Sequence, residues 1–410
     1  MPEQQKPEQP ILGQQKPDQK KLGLVLTGGG ARAAYQVGVL KAIAELLPSR
    51  ARNPFHIISG TSAGALNAVT LAVNARHFRK GVKYLDNIWR NFQVHNIYRS
   101  DPLGVLRNSI FWVGGLILNV LGINKLNRVS LLDNTPLAQM LDQVLPCEKI
   151  QDSIDAGLLH ALSITASGYG SGQSVNFYQS IEGVHPWKRA RRMGIAAKIE
   201  HKHLLASSAI PFIFPAVQIN REYFGDGSMR QIAPISPALH LGATRILVIG
   251  TAHAAPPQPD RPQMDDYPSL ARIAGHAMDS IFLDSLEMDI ERLQRINNTV
   301  SLVSDEIRQQ MRLNKIEVLV ILPSQPIEKI ASRYATQLPW PIRFLLRAIG
   351  ATRKSGANLV SYLLFDKDFC RALISLGYHD AMEQKQEILN FLNNHQQVQA
   401  AETSAETTPQ

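Results

Sequence analysis

A serine flanked by glycines is the strongest chemical signal in this sequence. Gly60-Thr-Ser-Ala-Gly64 has the G-x-S-x-G spacing, in which a sharp strand-to-helix turn presents the serine hydroxyl as a nucleophile. The apolar run 55–59 before it and the small, apolar run after it favour that context. We therefore predict that Ser62 is a nucleophile and that Gly60 and Gly64 keep the turn free of side chains. A structural serine in a tight turn is the alternative, and it leaves the second glycine cluster of the chain unexplained.

That second cluster, Gly28-Gly29-Gly30, lies between the apolar run 22–27 and a helical pattern. Glycines let another group approach the backbone N–H groups, and the positive end of the following helix favours negative charge. The cluster is therefore predicted to hold an anion, either a phosphate or an oxyanion formed during a reaction. A dinucleotide site would need an acidic residue near the end of the next strand, and the run 55–59 contains none.

A serine nucleophile needs a base, and Asp226 is the first candidate. It follows the strand-like run 222–224 and lies between Gly225 and Gly227, where backbone can approach another group closely. Asp-Gly is also a common turn signal, so an ordinary turn aspartate is the alternative. Three histidines stand in the order of a Ser–Asp–His triad without belonging to a motif, namely His240, His253 and His276.

Short apolar runs alternate with helical stretches along the chain. Besides the runs before the glycine motifs, strands are expected at 162–166, 175–178, 222–224, 245–250 and 318–322. Apolar residues at helical steps from Val37 to Leu47 predict a helix that ends before Pro48, and a stripe from Met278 to Leu293 predicts a long helix facing the core. This alternation favours an α/β fold with a largely parallel sheet flanked by helices.

Composition places the chain among globular proteins. Of its 410 residues, 44% are hydrophobic and 19% are charged, which excludes collagen-like, wholly disordered and multi-span membrane classes. Cys147 and Cys370 are too few for a disulfide framework or a thiolate zinc cluster, and His201 and His203 lack a nearby third ligand. No metal and no cofactor are therefore expected.

The chain divides into four parts by composition. Residues 1–21 are rich in Pro, Gln and Lys, and they are expected to form a disordered tail without the apolar stretch of a signal peptide. A catalytic α/β domain is expected over 22–253. A Pro- and Asp-rich stretch, 254–268, opens a mainly helical C-terminal region over 254–395 with one further strand. A second disordered tail is expected at 396–410.

Taken together, four motifs resemble those of the bacterial patatin-like phospholipases. In chain order they are Gly28-Gly-Gly-Ala-Arg-Ala33, Gly60-Thr-Ser-Ala-Gly64, Ala206-Ser-Ser-Ala-Ile-Pro211 with Phe214-Pro215, and Asp226-Gly227. The resemblance extends from Leu22 to Gly250. Two positions depart from the family's usual motifs: Ala33 stands in place of Gly, and Ser228 stands in place of Gly or Ala.

The resemblance implies a patatin-like fold and a serine lipid acyl hydrolase, that is, a phospholipase A or lysophospholipase-like esterase. It implies that Ser62 is the nucleophile and that Asp226 is the sole base of a Ser–Asp dyad. The other implied site residues form the oxyanion region (Gly28, Gly29, Gly30 and Arg32) or support the turns (Gly60, Gly64 and Gly227). Ser62 would form an acyl-enzyme that water hydrolyses. Because an ordinary aspartate is a poor base for a hydroxyl, we expect a buried Asp226 with a raised pKa.

Charge and apolar segments indicate a lipid surface as partner. The 43 Lys and Arg against 34 Asp and Glu leave a net charge of +9, which favours phosphate-rich partners. The apolar segment 110–123 is too short to span a bilayer and is interpreted as either buried or an interfacial lid. Segments 185–192 and 340–349 mix Trp with cations and are either solvated helix faces or docking surfaces.

The expected partners are therefore a phospholipid or lysophospholipid substrate and an anionic membrane surface, and nucleic acid is not expected. The expected location is cytoplasmic, with peripheral attachment to the inner face of the membrane left open. The sequence predicts no oligomeric state. Two other hypotheses stay open, a Ser–His–Asp esterase and a non-catalytic lipid-binding scaffold whose glycine cluster holds a headgroup phosphate.

Overall fold

A mixed sheet forms the centre of the computed structural model, which describes residues 21–102, 104, 130–253, 270–281, 285–311, 314–348 and 357–393. Within these ranges its strands are β1 (Lys21–Leu26), β2 (Ile57–Thr61), β3 (Ala161–Gly168), β4 (Ser174–Ser180), β5 (Trp187–Arg189), β6 (Arg192–Ala196), β7 (Val217–Ile219), β8 (Glu222–Asp226), β9 (Ala243–Ile249) and β10 (Glu317–Ile321). The expectations for 1–20, 110–123, 254–268 and 396–410 fall outside the described residues.

The order of the strands is β10-β9-β1-β2-β3-β4-β6-β5. The neighbours from β10 to β3 pair in parallel, and β4 runs antiparallel to β3. Off this path, β8 pairs antiparallel with the end of β3, and β7 pairs with β8. The prediction of an α/β fold with a mostly parallel sheet is confirmed, and each of the predicted strands is present.

The helices are α1 (Ala34–Leu46), α2 (Ala63–Val73), α3 (Phe78–Arg90), α4 (Val94–Ile97), α5 (Thr135–Val144), α6 (Lys149–Asp155), α7 (His201–Ser207), α8 (Ser236–His240), α9 (Leu270–Asp279), α10 (Ser285–Ser301), α11 (Asp305–Met311), α12 (Ile327–Tyr334), α13 (Trp340–Ala348), α14 (Ala357–Leu363), α15 (Lys367–Glu383) and α16 (385–393). Short 3-10 turns follow β1 at Gly30–Ala33 and β8 at Gly227–Arg230.

Helices cover both faces of the sheet. Successive residues of a strand point to opposite faces, and in β1 Leu24 and Leu26 join one apolar cluster while Val25 joins another. The first cluster takes in α1, α2, α14 and α15, and the second takes in α8 and α10. Burial on both faces explains why the parallel strands have continuous apolar runs in the sequence.

The register of the strands brings the predicted site residues to one edge. Leu26, the last residue of β1, pairs with Gly60 of β2, and Thr61 pairs with Thr165 of β3. One residue further along β3, Ala166 pairs with Asp226 of β8. The glycine cluster after β1, Ser62 after β2 and the end of β8 therefore meet at the carboxyl edge of the parallel strands, the usual position of an α/β site.

The helix-face interpretation of 185–192 is wrong. This segment contributes the edge strand β5 and the start of β6, which pair antiparallel. The ring of Trp187 stacks on the rings of Tyr178 and His240, each at a centroid distance of 5.0 Å. These ring contacts anchor a short strand at the edge of the sheet, where charged side chains can stay exposed.

The C-terminal region continues the same sheet, because β10 pairs in parallel with β9. The stripe predicted from Met278 to Leu293 lies on α9 and α10, and Met278, Leu286 and Leu293 are buried as expected. Phe282 of that stripe lies outside the described residues. In the part of the chain that the structure describes, no helix is both long enough and apolar enough to span a bilayer.

Candidate active site

Ser62 occupies a strained turn between β2 and α2. Its backbone angles are φ 54° and ψ −129°, in the left-handed half of conformational space that side chains other than glycine rarely adopt. Strain of this kind costs about 1–3 kcal/mol and collects at functional sites. The Ser62 N–H donates to Ser207 Oγ at 2.8 Å, and Ser207 Oγ donates to the Thr165 carbonyl at 2.6 Å, so neighbouring elements hold the turn.

Close backbone contacts explain the glycines around this serine. A Cβ on Gly60 would lie 2.6 Å from the carbonyl oxygen of Gly64, and a Cβ on Gly64 would lie 2.6 Å from the carbonyl oxygen of Thr27. Neither distance is possible without moving backbone. Both glycines are therefore required by packing, as the sequence predicted, and Gly64 packs the serine turn against the strand end that begins the glycine loop.

Asp226 accepts a hydrogen bond from the serine hydroxyl. The distance from Ser62 Oγ to Asp226 Oδ2 is 2.6 Å, and Asp226 Oδ1 accepts from the Ser228 N–H at 2.9 Å. The side chain has no solvent exposure. Burial raises the pKa of Asp226 to about 6, although the hydrogen bonds from Ser62 and Ser228 oppose that rise. The expected raised pKa is confirmed. A Cβ on Gly227 would collide with the Thr165 carbonyl, which explains the glycine after the aspartate.

The glycine loop adopts a conformation that only glycine takes readily. Gly29 has φ 158° and Gly30 has φ 54°, and the Gly28 carbonyl accepts a hydrogen bond from Thr251 Oγ1 at 2.7 Å. A Cβ on Gly29 would lie 2.5 Å from that hydroxyl, and a Cβ on Gly30 would collide with the Tyr362 carbonyl. Within the described part of the chain, the N–H groups of Gly29 and Gly30 have no hydrogen-bond acceptor, so both are available to an anion.

An apolar cavity opens beside the serine. Gly30 and Ser62 both line it, and most of the remaining wall is aliphatic or aromatic, including Trp89, Phe92 and Phe365. The Trp89 and Phe92 rings contact edge to face at 4.8 Å, and Phe365 stacks on Trp89 at 6.4 Å. Ser62 therefore lies at the wall of a space that suits a hydrocarbon chain.

The side chain of Arg32 binds the C-terminal region. It is buried and donates to Ser361 Oγ at 2.7 Å and to Asn358 Oδ1, and its guanidinium lies 3.7 Å from Asp279 Oδ1. It also lies over the Tyr362 ring, 4.0 Å from the centroid. Arg32 is not among the residues that line the cavity. Its guanidinium therefore anchors the glycine loop to α9 and α14, contacts that no sequence motif indicates.

We expect Arg32→Lys to lower the free energy of unfolding by about 1–3 kcal/mol, because a lysine ammonium cannot make the hydrogen bonds that the planar Arg32 guanidinium donates to several acceptors. We also expect kcat to fall more than KM rises, since the glycine loop is displaced rather than the substrate cavity. Urea unfolding and ester kinetics measure both effects. Arg79→Lys is the matched control, because Arg79 makes a similar fork to the Ala44 and Leu47 carbonyls away from the site. An equal loss of kcat in both variants would contradict a positioning role.

Two of the three candidate histidines have partners elsewhere. His240 stacks on Trp187, and His253 Nδ1 lies 2.9 Å from the Pro323 carbonyl. His276 lies in α9. In the described ranges, no histidine takes part in the hydrogen bonds of the serine hydroxyl or of the aspartate. The same part of the chain contains no group of three metal-ligating side chains.

Sequence reasoning assigned no role to Ser207 or Thr251. Ser207 lies in the Ala206–Pro211 motif, so its motif pointed to it, but its hydrogen bond to the Ser62 N–H requires the fold. Thr251 follows β9 and bonds the glycine loop across 223 positions of sequence. Pairs at that separation carry no local signal.

Comparison with known proteins gives three matches. The sequence model of the family described as "Patatin-like phospholipase" matches residues 24–239. The chain is 26% identical over 239 residues to a protein of Pseudomonas aeruginosa (strain BWHPSA011 / Pa011) named "cGAMP-activated phospholipase", covering 56% of this chain and 61% of that protein. It is 50% identical over 56 residues to "Lysophospholipase nte1" of Aspergillus terreus (strain NIH 2624 / FGSC A1156), covering 14% of this chain and 3% of that protein. Each match spans less than two thirds of the relative.

Proposed function

The chain belongs to the patatin-like phospholipase family, and from that membership we propose that it is a serine lipid acyl hydrolase acting through Ser62 and Asp226. One observation carries the proposal: Ser62, which lines an apolar cavity, donates a 2.6 Å hydrogen bond from its Oγ to a fully buried carboxylate. A hydroxyl in contact with a base, beside room for a hydrocarbon chain, is the arrangement that ester cleavage requires.

The reaction proceeds in two halves. Ser62 Oγ attacks the carbonyl carbon of the ester while Asp226 takes its proton, and the same carboxyl then protonates the departing alcohol oxygen. The ester bond breaks, the alcohol leaves, and an acyl group stays on Ser62. In the second half water attacks the acyl carbon while Asp226 takes its proton. The bond from that carbon to Ser62 Oγ then breaks, Asp226 returns the proton to Oγ, and the fatty acid and the free serine are released.

The glycine loop supports the proposal through its unpaired N–H groups. Gly29 and Gly30 are adjacent, their N–H groups have no acceptor within the described ranges, and Gly30 lines the cavity with Ser62. Such donors stabilise an oxyanion by about 3 kcal/mol each. The contribution of Gly28 and Arg32 is indirect: the Gly28 carbonyl and the Arg32 side chain fasten the two ends of the loop.

We propose phospholipids or lysophospholipids as the substrate class. The apolar cavity accepts the acyl chain, and the names of the two relatives, a phospholipase and a lysophospholipase, support lipid esters. The net charge of +9 supports action at an anionic membrane surface from the cytoplasmic side. Flotation with neutral and anionic vesicles tests that surface, and equal, negligible binding to both would contradict it.

A Ser–His–Asp mechanism is the less supported alternative, because the partners of His240 and His253 lie away from the dyad. Alanine replacements of His240, His253 and His276 test it with a short-chain ester. The dyad predicts that all three retain activity. Loss in one of them, together with mere reduction in Asp226→Ala, would favour the triad.

We expect kcat/KM on a soluble ester to decline below pH 6. Asp226 must be ionised to accept the serine proton, and burial raises its pKa to about 6. Activity is therefore present above that pH and falls by about tenfold per pH unit below it. A pH–rate profile measures this, with circular dichroism at each pH as the control for folding. A decline that begins only near pH 4 would contradict the buried base.

The experiment that tests the function is fatty-acid release from a panel of phospholipids and lysophospholipids, with Ser62→Ala as the blank. Parallel samples contain cGAMP, because one relative is named for activation by it. Release by the wild type alone supports the proposal. No release from any lipid, together with no labelling of Ser62 by a fluorophosphonate, would overturn it, whereas labelling without release would point to another ester class.

A further inference from the structure

Phe212 combines two features that are unusual together in a phenylalanine, an exposed ring and a left-handed backbone. It is 76% exposed to solvent, and its φ is 64°, in the left-handed region where a bulky residue is strained. Exposure of one apolar side chain is ordinary, but strain at the same residue is not. Strained backbone persists only where the surrounding structure enforces it.

The surrounding structure enforces this conformation with backbone hydrogen bonds. The Phe212 carbonyl accepts from the Leu131 N–H at 2.9 Å, and the neighbouring Ile213 carbonyl accepts from the Leu132 N–H at 2.8 Å. The Phe214 N–H donates to the Ile210 carbonyl at 2.9 Å and closes the turn. The ring is therefore held in solvent by a fixed loop.

This loop belongs to the active site. Ile210 and Phe214, two residues to either side of Phe212, both line the cavity beside Ser62. The Ala209 carbonyl accepts a hydrogen bond from the Asp226 N–H at 2.9 Å, so the same loop also fixes the strand that carries the base. Phe212 therefore lies on the chain between two residues that line the cavity which the acyl chain must enter.

We propose that Phe212 inserts among the acyl chains of a lipid surface and places the cavity against that surface. The proposal rests on the hydrolase function, because a lipid acyl chain has to leave its layer to reach Ser62, and a path lined by apolar groups avoids exposing that chain to water. A phenylalanine ring suits this role, since it gains by leaving water and carries no polar group that would need a partner in hydrocarbon.

Phe212→Gly tests the insertion because glycine adopts a φ of 64° without strain and so preserves the loop. We expect its vesicle partition coefficient to fall by about tenfold to a hundredfold, the range that burial of one phenylalanine side chain implies. Turnover of phospholipid vesicles falls at least as much, and it falls more than turnover of a soluble short-chain ester. Phe212→Trp, which keeps an aromatic side chain, is expected to bind vesicles as the wild type does. Lipids brominated on their acyl chains should quench the tryptophan fluorescence of this variant more than that of the wild type.

Leu302→Ala is the matched control, because Leu302 is 88% exposed and lines no part of the cavity. It should keep both vesicle binding and vesicle turnover. Partition measured in the Ser62→Ala background needs no catalysis, so it separates this proposal from the hydrolase function. Vesicle binding by Phe212→Gly equal to that of the wild type would overturn the insertion, as would an equal fall of soluble-ester and vesicle turnover.

Discussion

Replacing Ser62 by alanine should lower kcat by roughly 10⁶-fold, the size of effect seen when a serine nucleophile is removed. The hydroxyl that donates to Asp226 Oδ2 at 2.6 Å is lost. Alanine keeps the Cβ, so the strain at φ 54° stays nearly the same and the turn keeps its shape. Steady-state kinetics on a short-chain ester and labelling with a fluorophosphonate measure the loss.

Ser59→Ala is the control for that variant. Ser59 is a buried serine on β2, the strand that ends directly before Ser62, and its Oγ has no hydrogen-bond partner in the described part of the chain. Its replacement should leave labelling intact, because only a hydroxyl is removed and no donor or acceptor is left unpaired. Residual activity of Ser62→Ala above about 1% of the wild type, or continued labelling, would place the nucleophile elsewhere.

Asp226→Asn should lower kcat by about 10⁴-fold and at the same time stabilise the protein at alkaline pH. An amide cannot accept the serine proton, and loss of a comparable carboxylate in a serine hydrolase has an effect of this size. The same change removes a carboxylate that is fully buried. Activity and stability therefore move in opposite directions in this variant.

The pH dependence of the stabilisation follows from the raised pKa of Asp226. Its pKa rises from 3.8 to about 6 on folding, so the folded state holds the proton more tightly. Its stabilising contribution is complete below pH 3.8 and is lost as the pH rises through 6. Two pKa units correspond to about 3 kcal/mol. The free energy of unfolding of Asp226→Asn should thus match the wild type near pH 4 and exceed it by up to about 3 kcal/mol at pH 8.

Urea unfolding at pH 4, 6 and 8 tests this dependence. Asp289→Asn is the matched control, because Asp289 is buried with a pKa that burial raises, and it accepts from the Ile235 N–H away from the dyad. It should share the sign of the stability change and keep kcat. Unchanged stability of Asp226→Asn at pH 8, or a gain in stability that is largest at pH 4, would contradict the claim that burial of the ionised Asp226 carboxylate destabilises the folded protein.

Local patterns predicted the strands and placed Ser62 and Asp226 at the ends of two of them. The apolar runs before Gly28 and Ser62 each end at glycines, so the apolar pattern and the turn residues indicate the same strands. The parallel direction of these strands follows from the alternation of strands with helices. The position of Asp226 was predicted from the same kind of signal, because it lies between two glycines that follow the apolar run 222–224. Where local sequence patterns agree with the final fold, the sequence is sufficient to predict the strands and the residues at their ends.

The features that the sequence did not predict depend on distant residues or on rare backbone. Arg32 meets Ser361 across 329 positions, and the guanidinium has no local partner that would indicate this contact. The hairpin that starts at Trp187 lacks the apolar alternation of a strand because its cations face solvent at the edge of the sheet. The left-handed backbone of Phe212 contradicts its residue type, so no propensity scale predicts it.

The match to the family ends at residue 239, four residues before β9 begins. β9 lies between β1 and the edge strand β10, and its Ile249 contributes to the core beside the glycine loop. A fragment cut at residue 239 would leave β1 as an open edge of apolar residues, the surface on which unrelated chains stack into aggregates. The folded unit that holds the candidate site is therefore longer than the segment that matches the family model, and any excised version has to keep the strands that follow.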